Sequence, residues 1–289
     1  KFDAGNATSP LHNLLKPNRR IRAWLGIEKD NGDKEWVPLG VFWSGDWSVP
    51  EDRAYAQTTG RDRLEFLRRS EYRTEVLSFD GVDDYAEIPF DQIGENLTIC
   101  FWLKIPSLTS SHSFILSNRT ANTNGFSIFL LNGTTLTYDF GGNGSRWNSG
   151  FVPQENTWFH VILERTPNGR TLYINGVEVA STNSAGSLSA ALQGTNLITI
   201  GQSLNESFMS GSIADLCIWN KPLSQQEIRK VMNHCLTGSE SGLLGYWKLN
   251  EGSNDVIHDS TENKNHGYVY GATWAKDIRI FKDVSLYDL

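Results

Sequence analysis

Thr171-Leu-Tyr-Ile-Asn-Gly-Val-Glu-Val-Ala180 decides the fold class. Asn175-Gly176 stands between two short strand-forming runs, and a two-residue type I′ turn needs positive φ at both central positions, which Asn and Gly supply. The stretch predicts a β-hairpin with arms Thr171–Asn175 and Val177–Ala180. Upstream, Phe159, Val161 and Leu163 alternate with Trp158, His160 and Ile162, the period of a strand. Leu97–Lys104 (LTICFWLK) is apolar on both faces, as a central strand is. Leu136, Tyr138 and Phe140 alternate with Thr135, Thr137 and Asp139, which predicts a half-buried strand. Leu197–Ile200, Ile213–Trp219, Leu243–Leu249 and Tyr268–Tyr270 continue the series between Gly/Asn/Ser turns. From about Val76 the chain is expected to be an all-β sandwich.

One helix interrupts the strands. Ser224-Gln-Gln-Glu227 has the spacing of a capping box, and Ile228, Val231, Met232 and Cys235 follow at i, i+3, i+4 and i+7. A single amphipathic helix closing onto a sandwich fits this order better than an α/β fold, whose strands and helices alternate throughout.

The 289 residues are 39% hydrophobic, enough for one large or two modest domains. No apolar run is long enough to span a bilayer. Residues 1–76 carry a net charge of +1 and the remainder −8. That acidity argues against a nucleic-acid surface, which neutralises phosphates with basic stripes. It is compatible with a divalent cation. Cys100, Cys217 and Cys235 have no C-x-x-C spacing, and their odd number gives no disulfide framework, so they are expected to be buried small hydrophobes. Six N-x-[ST] sequons fit chance in so Asn-rich a chain.

Residues 1–75 differ. Ile21, Ala23, Leu25 and Ile27 alternate, a turn around Asn31-Gly32 leads to a strand at Trp36–Trp43, and Gly45-Asp46 opens a third region. Thr59-Gly-Arg-Asp62 is expected to cap a short helix with Leu64 and Leu67 facing inward. At the other end, Ser285-Leu-Tyr-Asp288 has the spacing of a helix start, from which the natural polypeptide is expected to continue.

Five motifs in order carry a resemblance for residues 76–274. They are Leu77-Ser-Phe-Asp-Gly-Val-Asp-Asp-Tyr85, Asn156-Thr-Trp-Phe-His160, Leu172-Tyr-Ile-Asn-Gly-Val177, Gly211-Ser-Ile-Ala-Asp-Leu-Cys-Ile-Trp-Asn220, and Gly245-Tyr-Trp-Lys-Leu-Asn-Glu-Gly252 through Gly271-Ala-Thr-Trp274. Together they resemble the laminin-G-like, concanavalin A-like jelly-roll family, whose members bind glycans, proteins or lipids. The flanks, Asn18-Arg-Arg-Ile-Arg22, Trp36-Val-Pro-Leu-Gly-Val-Phe42, Ala56-Gln-Thr-Thr-Gly-Arg-Asp-Arg-Leu64 and Phe281–Asp288, resemble bacteriophage tail-hub or baseplate-hub proteins. The expected organisation is a small β-rich, α+β hub-like segment over 1–75, a jelly roll over 76–274, and a return into the hub over 275–289. The sandwich would then be an insertion between about Thr74 and Lys276, which a surface turn tolerates. The resemblance implies a virion protein of a phage tail, trimeric, with other tail or baseplate proteins and a host-surface glycan as partners. A secreted or cell-surface adhesion module is the alternative.

The jelly-roll resemblance also implies a structural Ca2+ near Asp80 and Gly81, with Asp215 and either Asp83 or Asp84 as further ligands. Calcium takes six to eight oxygens, which such a cluster begins to supply; the bland alternative is an Asp-Gly turn. For glycan binding, the Asn/Gly/Ser-rich loops nominate Asn143, Trp147, Asn148, Phe151 and Asn205, with Trp147 and Phe151 as exposed aromatics. Catalysis is not expected. Sandwich glycanases need two carboxylates about 5–9 Å apart, and no E-x-D-x-E run, G-x-S-x-G, H-E-x-x-H or phosphate loop occurs. His258, Asp259 and His266 fall in a Ser/Asn-rich loop. A polysaccharide hydrolase with carboxylates on separate strands is the remaining enzymatic reading.

Overall fold

The alternating patterns become nineteen strands in the computed structural model, which describes residues 20–28, 34–48, 57–61, 73–204, 207–233 and 235–278. The chain divides into two units, Lys1–Tyr72 with Ser285–Leu289, and Arg73–Val284. In the first, β1 (Arg20–Glu28), β2 (Lys34–Ser48) and β3 (Gln57–Arg61) form an antiparallel sheet in that order. Gly45-Asp46 does not open a new region: β2 runs through it with a register shift between Ser44 and Trp47. Thr59 lies within β3. The Leu64–Leu67 helix and Ser285–Asp288 fall outside the described residues.

The second unit is a sandwich. One sheet has the order β10-β9-β8-β7-β14-β5-β18-β17, the other β13-β12-β11-β6-β15-β4-β19 with β16 also paired to β15. The first sheet comprises β5 (Tyr85–Pro89), β7 (Ser113–Ser117), β8 (Phe126–Leu131), β9 (Thr135–Phe140), β10 (Arg146–Asn148), β14 (Leu197–Ile200), β17 (Val256–Ile257) and β18 (Gly267–Tyr270). The second comprises β4 (Arg73–Asp80), β6 (Leu97–Lys104), β11 (Phe159–Thr166), β12 (Gly169–Ile174), β13 (Val177–Thr182), β15 (Ser210–Trp219), β16 (Leu243–Trp247) and β19 (Thr273–Ile278). Asn175 and Gly176 take φ of 50° and 77°, the left-handed pair that the hairpin requires. The ends of the sandwich lie side by side, since Arg73 of β4 pairs with Ile278 of β19.

Period two sorts the side chains into layers. Leu97, Ile99, Phe101 and Leu103 of β6, Phe159, Val161 and Leu163 of β11, and Phe126, Ile128 and Leu130 of β8 meet in the core between the sheets. β6 is buried on both faces, because a second apolar cluster covers the outer side of its sheet. That cover is α2 (Gln225–Asn233), whose Ile228 and Val231 pack with Ile162, Cys217, Trp219 and Tyr246. A shorter helix, α1 (Leu188–Ala191), buries Ala191 in the main core. Two expectations change here. Cys235 lies past the end of α2 and is exposed, whereas Cys100 and Cys217 are buried. β9 is buried on both faces, because Thr137 and Asp139 are covered as fully as Tyr138. Among the described residues no helix is long and apolar enough to cross a membrane.

Candidate functional site

On β5, Ala86 and Ile88 face the core, so Tyr85 and Glu87 face out; on β18, Val269 faces in and Tyr268 and Tyr270 face out. The register sets Tyr270 opposite Tyr85 and Tyr268 opposite Glu87. The Tyr85 and Tyr270 rings stack with centroids 4.6 Å apart and planes 16° from parallel. Tyr268 is 55% exposed and Tyr270 42%. Desolvation, then the Glu87 carboxylate and neighbouring phenols, hold the Tyr270 hydroxyl above its ordinary pKa, so it remains a protonated donor. Flat rings with polar tips beside a carboxylate are the ingredients of a sugar-binding surface.

The same outer face carries a polar row across seven strands. Tyr268 pairs with Glu87, Glu87 with Thr199, Thr199 with Ser117, Ser117 with Ser127, Ser127 with Asp139, and Asp139 with Arg146. At the far end, buried Asp139 accepts from Arg119 Nη2 at 2.5 Å and from Arg146 Nε at 3.3 Å. The Arg146 guanidinium lies 5.2 Å from the centre of the Phe129 ring. Ser117 and Ser203 share a hydroxyl hydrogen bond of 2.9 Å. The row runs from an exposed aromatic end on β5 and β18 to a buried carboxylate on β9, ion-paired with the exposed Arg146 of β10.

The nominated loop residues are arranged differently from expectation. Trp147 and Phe151 are partly buried and pack against the core. Trp147 faces inward under the Arg170 guanidinium, 5.7 Å from its ring centre, because β10 extends the alternation and places Arg146 and Asn148 outward. Phe151 packs on Phe159 at 5.7 Å. Neither ring is an open platform. Asn143 accepts from Arg146 Nη2 at 3.1 Å, and Asn148 accepts the Gly150 N–H at 2.9 Å, so both brace the loop. Asn205 lies outside the described residues.

Of the nominated metal ligands, Asp80, Asp83 and Asp84 come together, with one carboxylate oxygen from each lying within 4.8 Å of the others. Asp84 Oδ2 accepts the Asp80 N–H at 2.8 Å, and Asp80 Oδ1 accepts the Val82 N–H at 2.7 Å. Desolvation raises the Asp84 pKa, with Asp80 and Asp83 adding to the rise while the Asp80 N–H opposes it. The remaining oxygens and this crowded negative charge fit a cation. Gly81, at φ 85°, makes the turn, and Ser210 stands opposite Asp80. Asp215 is not part of this group. It sits five residues further along β15, roughly 15 Å away at strand rise, where it takes φ of 50° at a bulge and accepts from the Tyr246 hydroxyl at 3.3 Å. Beside the acidic group opens a cleft of about 310 Å³ whose lining includes Asp80, Ser107, Ser111, His112 and Ser210.

Residues 80–229 match the concanavalin A-like lectin/glucanases superfamily, in its laminin-G form. The chain belongs to this superfamily. No curated protein sequence matches it. Among solved structures, a proposed carbohydrate-binding protein from Bacteroides ovatus superposes with a TM-score of 0.56 at 17% identity, over 71% of this chain and 60% of its own. This chain thus spans 60% of that protein's length. A heptameric SAP-like pentraxin from Limulus polyphemus has a TM-score of 0.47 at 17% identity, over 68% and 94%. Tailspike protein 2 of bacteriophage CAB120 of Escherichia coli O157:H7 has 0.46 at 14%, over 62% and 30%. At such identities the Bacteroides likeness establishes the superfamily's jelly roll and nothing finer. The tyrosine patch was missed from sequence. Its signal was Tyr85-Ala-Glu87 and Tyr268-Val-Tyr270, two alternating runs whose outward residues are aromatic or acidic.

Proposed function

We propose that the sandwich is a non-catalytic carbohydrate-recognition module that takes a host-surface glycan over Tyr85, Tyr268, Tyr270 and Glu87. The observation that carries this is a stacked tyrosine pair with a third tyrosine and a carboxylate, partly or fully exposed on one sheet face. The phenol faces receive the apolar side of a sugar ring, and Glu87 with the hydroxyl tips fixes its orientation. Carboxylate placement supports binding without hydrolysis. Glu87 and Asp139 stand four strands apart on this face, on the order of 19 Å, beyond the 5–9 Å that a glycosidase pair needs. Asp139 is moreover held by two arginines. A structural Ca2+ held by Asp80, Asp83 and Asp84 belongs to the same proposal, as a brace for the turn where β4 hands over to β5. The test is a glycan array on the full chain beside its Tyr270→Ala variant. Roughly fivefold weaker binding with an unchanged melting temperature is expected, since a stacking aromatic is worth about 1 kcal/mol. Binding that ignores the substitution sinks the assignment to this face.

For the whole chain we propose a structural protein of a phage tail or phage-like injection device, with the sandwich inserted in a hub-like segment and projecting to the receptor. The motifs in residues 18–64 and 281–288 support this, as does the pairing of Arg73 with Ile278, which lets the sandwich leave and rejoin a host domain at one point. A trimer is expected from light scattering on the full chain. A monomer favours the secreted or cell-surface adhesion module instead.

A further inference from the structure

We propose that Cys100 and Cys217 are a disulfide-forming pair that closes across β6 and β15. The two residues are direct partners in the antiparallel register. Such partners have Cα atoms about 4.5 or 5.5 Å apart, according to the kind of pair. Disulfides form at Cα separations of about 4.4–6.8 Å, so either kind is bridged without moving a strand. Directly opposed side chains leave a sheet on the same face, and both cysteines enter the apolar cluster beneath α2 with Ile162, Trp219 and Tyr246. Their exposures are 0% and 1%.

The Cys100 thiol senses its neighbour. Burial first, then the neighbouring Cys217 thiol, pushes the Cys100 thiol well above its ordinary pKa. A buried thiol so placed is a poor nucleophile, which assigns bond formation to folding, before α2 covers the face. The chemistry is thiol–disulfide exchange. One cysteine thiolate attacks glutathione disulfide and expels a glutathione thiolate; the second cysteine thiolate then attacks the protein-side sulfur of the mixed disulfide and expels another. Two thiol protons are lost, and two electrons reduce glutathione disulfide to two thiols. The bridge joins positions 100 and 217, so it removes freedom from a long stretch of unfolded chain. Cys235 is exposed beyond α2 and remains the free thiol.

The full chain is refolded in a glutathione redox buffer, digested without reduction and mapped by mass spectrometry, then melted with and without reductant. We expect a cross-linked Cys100–Cys217 peptide, a free Cys235, and a melting temperature roughly 5–10 °C above that of the reduced chain. Cys235→Ser should keep the shift, and Cys217→Ser should lose it. Three free thiols in the refolded native chain, or a bridge that uses Cys235, would overturn the proposal.

Discussion

Single carboxylates show how closely local chemistry depends on partners. Asp259 is buried and accepts four hydrogen bonds, from the Tyr246 and Thr261 N–H groups through Oδ1 and from the Thr261 hydroxyl and Asn265 N–H through Oδ2. An amide has one acceptor oxygen, so Asp259→Asn strands buried donors, and a loss of about 2–4 kcal/mol is expected in urea denaturation. Asp139 differs in having charged partners. Asp139→Asn leaves Arg119 buried without its counter-ion, with an expected cost of about 3–5 kcal/mol. The aromatic residues divide in the same way. Trp147→Ala should lower stability by about 2–3 kcal/mol, because its ring packs on the core under Arg170, while Tyr270→Ala should lower glycan affinity alone. Measuring melting and binding on both variants separates the two roles; a Trp147→Ala chain that stays stable but loses ligand would restore the loop as the site.

At the scale of elements, the start of α2 was legible because its signals are local, whereas its end, short of Cys235, was not. The Ser224 hydroxyl accepts the Glu227 N–H at 3.3 Å, and Glu227 returns through the Ser224 N–H at 2.8 Å. Ser224→Ala should cost about 1 kcal/mol by thermal denaturation. Lys221 first, then the Ser224 N–H and hydroxyl, lower the Glu227 pKa from 4.5 to about 2. A depressed folded-state carboxylate binds fewer protons than the unfolded one. Its stabilisation is therefore complete above pH 4.5 and disappears as the pH falls toward 2. The acid limb of a stability profile should be shallower in Glu227→Gln across that window, by a modest amount because the pair is partly exposed. Length did not decide which strands were legible, since β7 and β8 were not foreseen. Leu97–Lys104 and Leu197–Ile200 match β6 and β14 to the residue, whereas the three-residue β10 has too few positions to show a period, and its Trp147, expected as an exposed loop aromatic, is partly buried against the core.

For the whole molecule, the acidic turn offers a direct test. Added Ca2+ should raise the melting temperature of the full chain by several degrees, chelator should reverse it, and Asp84→Asn should abolish the response. No change with Ca2+ would leave Asp80 and Asp84 as turn residues whose carboxylates accept backbone N–H groups. The sequence by itself determined most of the long strands, the Asn175-Gly176 hairpin, the capped helix start and the nearness of Asp80, Asp83 and Asp84, because each depends on residues within a few positions of one another. Tertiary structure alone decided which residues become neighbours across strands. It put Tyr85 against Tyr270, set Cys100 opposite Cys217, lined up a polar row from Tyr268 to Arg146, and kept Asp215 away from the acidic turn. The physical reason is that side-chain direction repeats every two residues along a strand and is written locally, whereas strand order and register are settled by the burial of the whole core.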